Sequence, residues 1–545
     1  MLDVDEEYGT PSDPKPLPTF KDRVALDVQN VFFNLNEFAE KRFVDGKEMV
    51  CITQHPGTGE RAAHWEGGAN PFTVKDWRAN DMKKIKVGYL PLYIKLYDDS
   101  NPHYRDPMVD YMHMLIKMLE SQGLEVVLAD EVCRIKPEFD RAAKKFNDAG
   151  VSAVITQHLA YSPSLESIEA LLSLDAPIIV FDTTPDYQLL KVANYKGCIS
   201  ANHGIHGVQD MCNLLKRNGK PYYLCVGHAL HSEVVSEVVG MCRAAAVKKA
   251  FQTEKVGSVG GSFTGMGDFL VSDERYKNDI GVEVQYMTTE VVKEYLPKVT
   301  EEEIDAELAY DAAHYDSDIT FQAEYREATR SGLAVRKWMQ DNGLHAATVN
   351  FLTLDICGLP KMPFIECCKI MERGQGYAGE GDVLTAGLVG ALLQVYPNTT
   401  FTEMFCPDWE QDVILLSHMG ESNPKLAQWK PLISDCPFNY NSCGDTTAMY
   451  NCLRKGKAVY VNLAPMQDHF TLIVSDVEML DEGLERGAYR HSTQGWMKPC
   501  KPLPQFLKEF SLAGGTHHSA LVYDANIEEI KAFGTMMGFE VIEIK

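Results

Sequence analysis

The chain is short of positive charge: 52 Lys and Arg stand against 77 Asp and Glu, a formal net charge of −25 over 545 residues. A surface of that sign repels phosphate backbones and anionic headgroups, which argues against nucleic acid or a membrane surface as a main partner. Long apolar runs are absent. The longest uncharged one, AGLVGALLQVY (386–396), falls far below the ~20 residues a membrane-crossing helix needs. The first residues, MLDVDEEYGTPSDPKP, have neither the basic start nor the apolar centre of a secretory signal. Regular cysteine spacing is missing as well, since none of the 14 cysteines forms a CxxC pair. Scattered through apolar stretches such as YYLCVGH and DICGL, they read as free thiols in a reducing, cytoplasmic setting, not as a disulfide framework. There is no GxxxxGK[ST] phosphate loop and no internal repeat.

What is present is a globular composition, 45% hydrophobic and 24% charged, in a chain long enough for three or four domains. Residues 1–81 stand apart. KDRVALDVQNVFFNLNEFAEKRF has helical spacing, FVDGKEMVCITQ predicts a hairpin strand, and a Gly/Pro-studded stretch follows. At Met82 the text changes to MKKIKVGYLPLY, a start Met, a basic pair and an apolar strand, so residues 1–81 read as a disordered or loosely docked tail, with no role assigned, added to a protein that once began at Met82. From there KIKVGYL, LEVVLAD, VSAVITQH, APIIVFD and KPYYLCVGH alternate with helical segments, which predicts a parallel sheet covered on both faces (82–253). A second unit of the same kind spans 254–396, with strands at KVGSVGGSF, VEVQYMTT and AATVNFLTLD. After 397 strands dominate: TTFTEMFC, DVILLSHMG, AVYVNLAPM, FTLIVSDVEML, SALVYD and FEVIEI. The fold class is α/β, two doubly wound Rossmann-like domains followed by a mostly antiparallel, barrel-like domain over 397–545.

Three polar segments carry candidate chemistry. In ERGQGYAGEGDVLTAGLVGALLQVY (372–396) a glycine-rich loop feeds a helix with Asp382 as its N-cap, which leaves Glu380 just ahead of the helix N-terminus. An acidic GEGD repels phosphate, so anion binding there is disfavoured. In TTFTEMFCPDWEQDVILLSHMGE (399–421) period-two alternation puts Phe401, Glu403 and Phe405 on one strand face. A carboxylate among aromatics must be paired, metal-bound or at a wet cleft, because burying it alone costs too much. His418 ends the next apolar run. In LAGGTHHSALVYD (512–524) Gly514 and Gly515 permit a tight turn, and Thr516, His517 and His518 then enter a strand. Neighbouring strand side chains face opposite ways, so only one of the two histidines can serve a given site. Two glutamates and two histidines make an oxygen–imidazole set that suits Mn²⁺, Co²⁺ or a similar divalent ion. The same residues also read as buried polar groups that satisfy one another without a metal.

At this point a resemblance enters. GYAGEGDVLTAGL resembles the GYGF-x-EGDWKTA segment of L-arabinose isomerases, FTEMF their SFMEDY, LLSHMGE their LGSHMLE and LAGGTHHS their LAGGAHHT. The motifs keep the family's order, with 23 residues from Glu380 to Glu403 and 15 from Glu403 to His418. TQHLAYSP (156–163) is similar to the family's MHTFSPA, and SANHGIHGVQD (200–210) to its NQTAHGGRE. From Met82 onward the chain is identified as a divergent member of the L-arabinose/L-fucose isomerase superfamily. Separately, residues 20–52, with NLNEFAE…VDGKEM, resemble the start of small phage head–tail joining proteins.

The isomerase resemblance implies two α/β domains and a mostly β C-terminal domain, with metal ligands at Glu380, Glu403, His418 and His518 and Mn²⁺ as the usual ion. It implies an aldose–ketose isomerase of carbohydrate metabolism acting through an enediol, with Glu380 and Glu403 as the acid–base pair. His158 would reach into a substrate site built between subunits of a homo-oligomer, a trimer-based hexamer or a tetramer. His517, on the other strand face, becomes a packing or substrate-side residue. The sequence departs from the family around the sugar: GSQHLYG becomes GYLPLYIKLYD (88–98), GDWKTA becomes GDVLTA, and MEDYTY becomes TEMFCPDW. These changes leave the identity of the sugar open. A non-catalytic sugar-binding protein on the same scaffold is the alternative. A dinucleotide site at VGSVGGSFTG (256–265) is disfavoured, since its glycines do not give GxGxxG.

Overall fold

The computed structural model describes residues 84–190, 198–481 and 491–545, together with the backbone of four short strands nearer the N-terminus. Met1–Met82 and Lys83–Lys545 form separate compact units. In the first, β1 (Gly9–Thr10) pairs antiparallel with β2 (Asp13–Pro14) and β3 (Ala39–Val44) with β4 (Lys47–Ile52). The predicted hairpin strand is there, and an Asp-Gly pair, a strong hairpin signal, stands between β3 and β4. Helical spacing over 21–43 fails at its end, where Ala39–Val44 is strand. The rest of that helix, the remainder of the phage-like segment and the tail reading lie outside the described residues.

The second unit begins with five parallel strands: β5 (Ile85–Leu92), β6 (Leu124–Leu128), β7 (Ala153–His158), β8 (Ile178–Asp182) and β9 (Tyr222–Val226). Their order is β6-β5-β7-β8-β9. Numbered within this sheet, that is 2-1-3-4-5, the flavodoxin-like doubly wound order and not the classic dinucleotide-binding one. Alternation along each strand feeds two cores. Val87, Tyr89 and Ile155 pack with Tyr111 and Met112 of the helix Asp106–Ser121 and Val238 of Val234–Gln252. Leu90, Val154 and Ile178 pack on the other face with Phe139, Ile168 and Met211. Such strands, buried on both faces, read as nearly continuous β-branched runs in the sequence.

A second parallel sheet follows. It uses β10 (Lys255–Val259) and β11 (Glu283–Met287), skips the two-residue β12 (Asp316–Ser317), and adds β13 (Ala346–Val349) and β14 (Gly376–Gly379), in the order β11-β10-β13-β14. Two local readings change here. AATV forms β13, but the FLTLD after it forms short helical turns (Phe351–Thr353, Leu354–Cys357). The glycine-rich GYAG, read as loop, is β14. The helix Val383–Leu393 behind it is buried at every residue, which explains its all-apolar sequence.

The C-terminal region is a closed barrel. β15 (Thr399–Asp408) and β16 (Val413–Ser417) are followed by β17 (Leu432–Cys436) and β18 (Thr446–Tyr450), which form a small separate sheet with β12. Then come β19 (Gly456–Pro465), β20 (Phe470–Leu480), β21 (Gly495–Pro499), β22 (His518–Tyr523) and β23 (Glu540–Glu543). The antiparallel order β19-β22-β15-β16-β21-β20 closes through β19–β20 pairing, and β23 joins β20 in parallel. Closure leaves the ring without free edges. Two helices, Leu503–Leu512 and Ile527–Met537, stand among the strands, in keeping with a mostly β region. No described helix is long and apolar enough to cross a membrane.

Candidate metal centre

The site forms where the carboxyl end of the central sheet meets the barrel. β14 ends at Gly379, and Glu380 follows with φ 63°, a left-handed conformation that is costly for a residue with a Cβ. Gly381 continues the turn at φ 79°, and a Cβ there would sit 2.2 Å from the Gly261 carbonyl oxygen. Phe263 N–H donates to the Glu380 carbonyl (3.1 Å), so the glycine loop after β10 clasps this turn. That loop opens no nucleotide-binding helix; the next helical residues are Asp273–Arg275. Asp382 then caps Val383–Leu393, accepting from Thr385 N–H (2.9 Å) as the sequence predicts.

The barrel supplies the opposite wall. Glu403 of β15 stands in register with His518 of β22 on one side and Ser417 of β16 on the other, so His418 follows directly beside it. Nε2 of His418 lies 3.9 Å from Glu403 Oε2, and Nε2 of His518 lies 3.5 Å from Glu380 Oε2. One ligand atom each of Glu380, His418 and His518 falls within 4.8 Å of the others. Both imidazoles are fixed from behind. His518 Nδ1 meets Asp382 Oδ2 at 3.0 Å with both side chains fully buried, and His418 Nδ1 lies against Glu421, whose other oxygen accepts the Tyr377 hydroxyl. Phe401 packs T-shaped against both rings, with centroids at 4.8 and 4.9 Å, and Phe269 stacks on His518 at 5.2 Å.

Two sequence expectations change. The opposite-face argument fails for the histidine pair because β22 begins only at His518. His517 is still in the turn, and its Nε2 also reaches Glu380 Oε2 at 3.5 Å while Nδ1 binds Asp268 at 2.6 Å. Phe405 does not share the face of Phe401 and Glu403 either. The register shifts between Met404 and Cys406, and the Phe405 ring is left 57% exposed while Phe401 is fully buried.

Electrostatics follow from this crowding. Burial opposes charge on Glu380, but His517 and His518 outweigh it and hold the carboxyl well below the usual carboxylate range. Burial likewise disfavours the imidazolium forms, yet Asp268 and Glu380 hold His517 up at about 10, and Asp382 and Glu380 hold His518 up at about 9. Asp268 is pushed down to about 2 against its own burial, by its bonds to His517. Without an ion, the histidines act as the cations for the carboxylates. His518 Nε2 is buried and makes no hydrogen bond. A buried nitrogen of that kind, in a set of carboxylate oxygens and imidazoles, fits a borderline divalent ion.

His158 is elsewhere. It ends β7, is 5% exposed, and is packed under Gly204 and Gly207, where a Cβ on Gly207 would meet its ring at 2.6 Å. Burial pushes its imidazole down to about 3, and neither ring nitrogen has a partner. Asp268, Glu421 and Tyr377 were not singled out from sequence. Glu421 and Tyr377 stand inside the motifs that held His418 and Glu380, whereas nothing local marks Asp268.

Fold and site together define a class: an α/β protein whose central sheet and C-terminal barrel share a carboxylate–imidazole cluster. Residues 274–396 match the family model of the L-arabinose isomerase central domain, and 398–540 that of the L-arabinose isomerase C-terminal domain. The chain is 25% identical over 488 residues to an L-arabinose isomerase of Aeromonas salmonicida (strain A449), covering 85% of this chain and 95% of that one. It is 26% identical over 411 residues to the one of Oceanobacillus iheyensis, covering 72% and 85%, and 25% identical over 406 residues to the one of Clostridium beijerinckii, covering 73% and 82%. The chain is thus similar to L-arabinose isomerases in its central and C-terminal parts and, at about a quarter identity, over most of its length.

Proposed function

We propose that the chain is a cytoplasmic aldose–ketose isomerase of this family, acting on an open-chain sugar at a centre of Glu380, Glu403, His418 and His518. The observation that carries the proposal is the register pair Glu403–His518 facing Glu380 and His418, with His518 Nε2 buried and unbonded. Relatives named L-arabinose isomerase support the reaction class. Substitutions along 88–98 and around Glu403 leave the sugar to be found among pentoses, hexoses and deoxy sugars. Every described cysteine is free, which agrees with a reducing location.

The four side chains would hold Mn²⁺ or a similar ion, which supplies positive charge where negative charge develops on the sugar oxygens. Isomerisation moves a proton from one carbon to its neighbour, so a base must take it and return it. Glu380 and Glu403 suit that work because their surroundings differ. Glu380 is gripped by two imidazoles, whereas the Glu403 side chain is 21% exposed and lies 3.9 Å from His418.

Purified protein with Mn²⁺ and a panel of aldoses should yield ketose from at least one sugar, with solvent deuterium entering at C1 of the ketose and at C2 of the recovered aldose. A bound sugar with neither product nor exchange would leave a sugar-binding protein and sink the isomerase reading.

A further inference from the structure

The two histidines of the centre are held by different devices. Asp382 is fixed by the helix it caps, since Oδ1 takes Thr385 N–H and Oδ2 takes His518. Glu421 has no helix to lean on; it follows the tight turn at Gly420, where φ is 66°. Its carboxylate is 3% exposed, one oxygen against His418 Nδ1 and the other accepting the hydroxyl of Tyr377, which is fully buried on β14. Gly379, two residues on, closes the arrangement. A Cβ there would lie 2.8 Å from His418 Cε1 and 3.3 Å from Glu421 Oε2, so the strand packs directly on this pair.

We infer that Glu421, anchored by the Tyr377 hydroxyl, is a positioning residue that holds the ring of His418 with Nδ1 against its carboxylate and Nε2 turned to the centre. The inference rests on the metal-centre reading above. An imidazole can ligate through a nitrogen only where that nitrogen is unprotonated, and a carboxylate behind the other nitrogen selects the tautomer and the ring angle. Tyr377 leaves Glu421 one free oxygen and one angle from which to use it. The line Tyr377–Glu421–His418 thereby ties the central sheet to the barrel through the metal centre itself.

The test is Mn²⁺ affinity, read from free Mn²⁺ by electron paramagnetic resonance on full-length protein, with circular dichroism to verify folding. Glu421→Gln should weaken binding about 10- to 100-fold. Tyr377→Phe, which keeps the ring, should weaken it about fivefold, the weight of one buried hydrogen bond. Tyr396→Phe is the control: its hydroxyl donates to Glu529 at 2.5 Å in another buried tyrosine–glutamate pair, and its loss should leave affinity unchanged. Folded Tyr377→Phe or Glu421→Gln protein with native affinity would overturn the inference. Equal weakening in Tyr396→Phe would also overturn it, as a general packing effect. If the native chain takes up no Mn²⁺, Co²⁺ or related ion, the metal reading itself fails.

Discussion

At the residue scale the histidine doublet separates into two roles. His518 is fully buried, backed by Asp382, with Nε2 left for the centre. His517 has its Nδ1 committed to Asp268 and touches Glu380 with the other nitrogen from a half-exposed position. His518→Ala is therefore expected to lose bound metal. His517→Ala should keep metal and lose turnover, roughly tenfold or more, as outer partners of ligating groups do. Metal analysis of the two purified variants decides; parallel metal loss would place both rings in the same role. Glu403→Gln should abolish turnover while the fold persists, since its side chain is partly exposed and not in a packed core.

At the element scale the helix Val383–Leu393 is the hinge of the design. Its N-terminus carries Asp382 and Glu380, and its buried length packs on Glu254 just ahead of β10, whose carboxyl oxygen lies close under Gly390. Glu254 is 1% exposed, one oxygen has no partner, and burial pushes its carboxyl up to about 8. A carboxyl raised from 4.5 to about 8 on folding stabilises fully only below the lower value, and that stability drains away as pH rises to the upper one. Relative to Glu254→Gln, the native chain should lose up to about 1.4 kcal/mol per pH unit across that window. Urea midpoints of both proteins at pH 5 and pH 8 check this; a constant gap between them refutes it.

At the scale of the whole molecule, the cluster draws Glu380 from the end of the parallel sheet and His418 and His518 from the barrel, with Glu403 beside them, so an ion held there as proposed would couple the two. Binding to the folded state alone adds stability by mass action, roughly 2.7 kcal/mol at a hundredfold excess over Kd. Adding Mn²⁺ to chelator-treated protein should raise Tm, and His518→Ala should cancel the rise. A shift of equal size in the variant would show the ion acting elsewhere.

The strands of the two parallel sheets, the glycine-rich β14 excepted, and most of the barrel were legible in the sequence because buried strands announce themselves as β-branched runs and Asp382 as a cap needs only its neighbours. Strands β17, β18 and β21 were not, since LISDC, TTAMY and GWMKP carry polar or mixed residues that only their partners make into sheet. The sequence by itself determined the residue types at Glu380, Glu403, His418 and His518 and the local chemistry around each. Tertiary structure decided the rest. Whether His517 shares the site depended on where β22 starts, and Asp268, 249 residues away from it in sequence, could be chosen only by the folding of one loop onto another. Local propensity is written in a few consecutive residues; contact across 249 of them is settled by packing, which no short window of sequence contains.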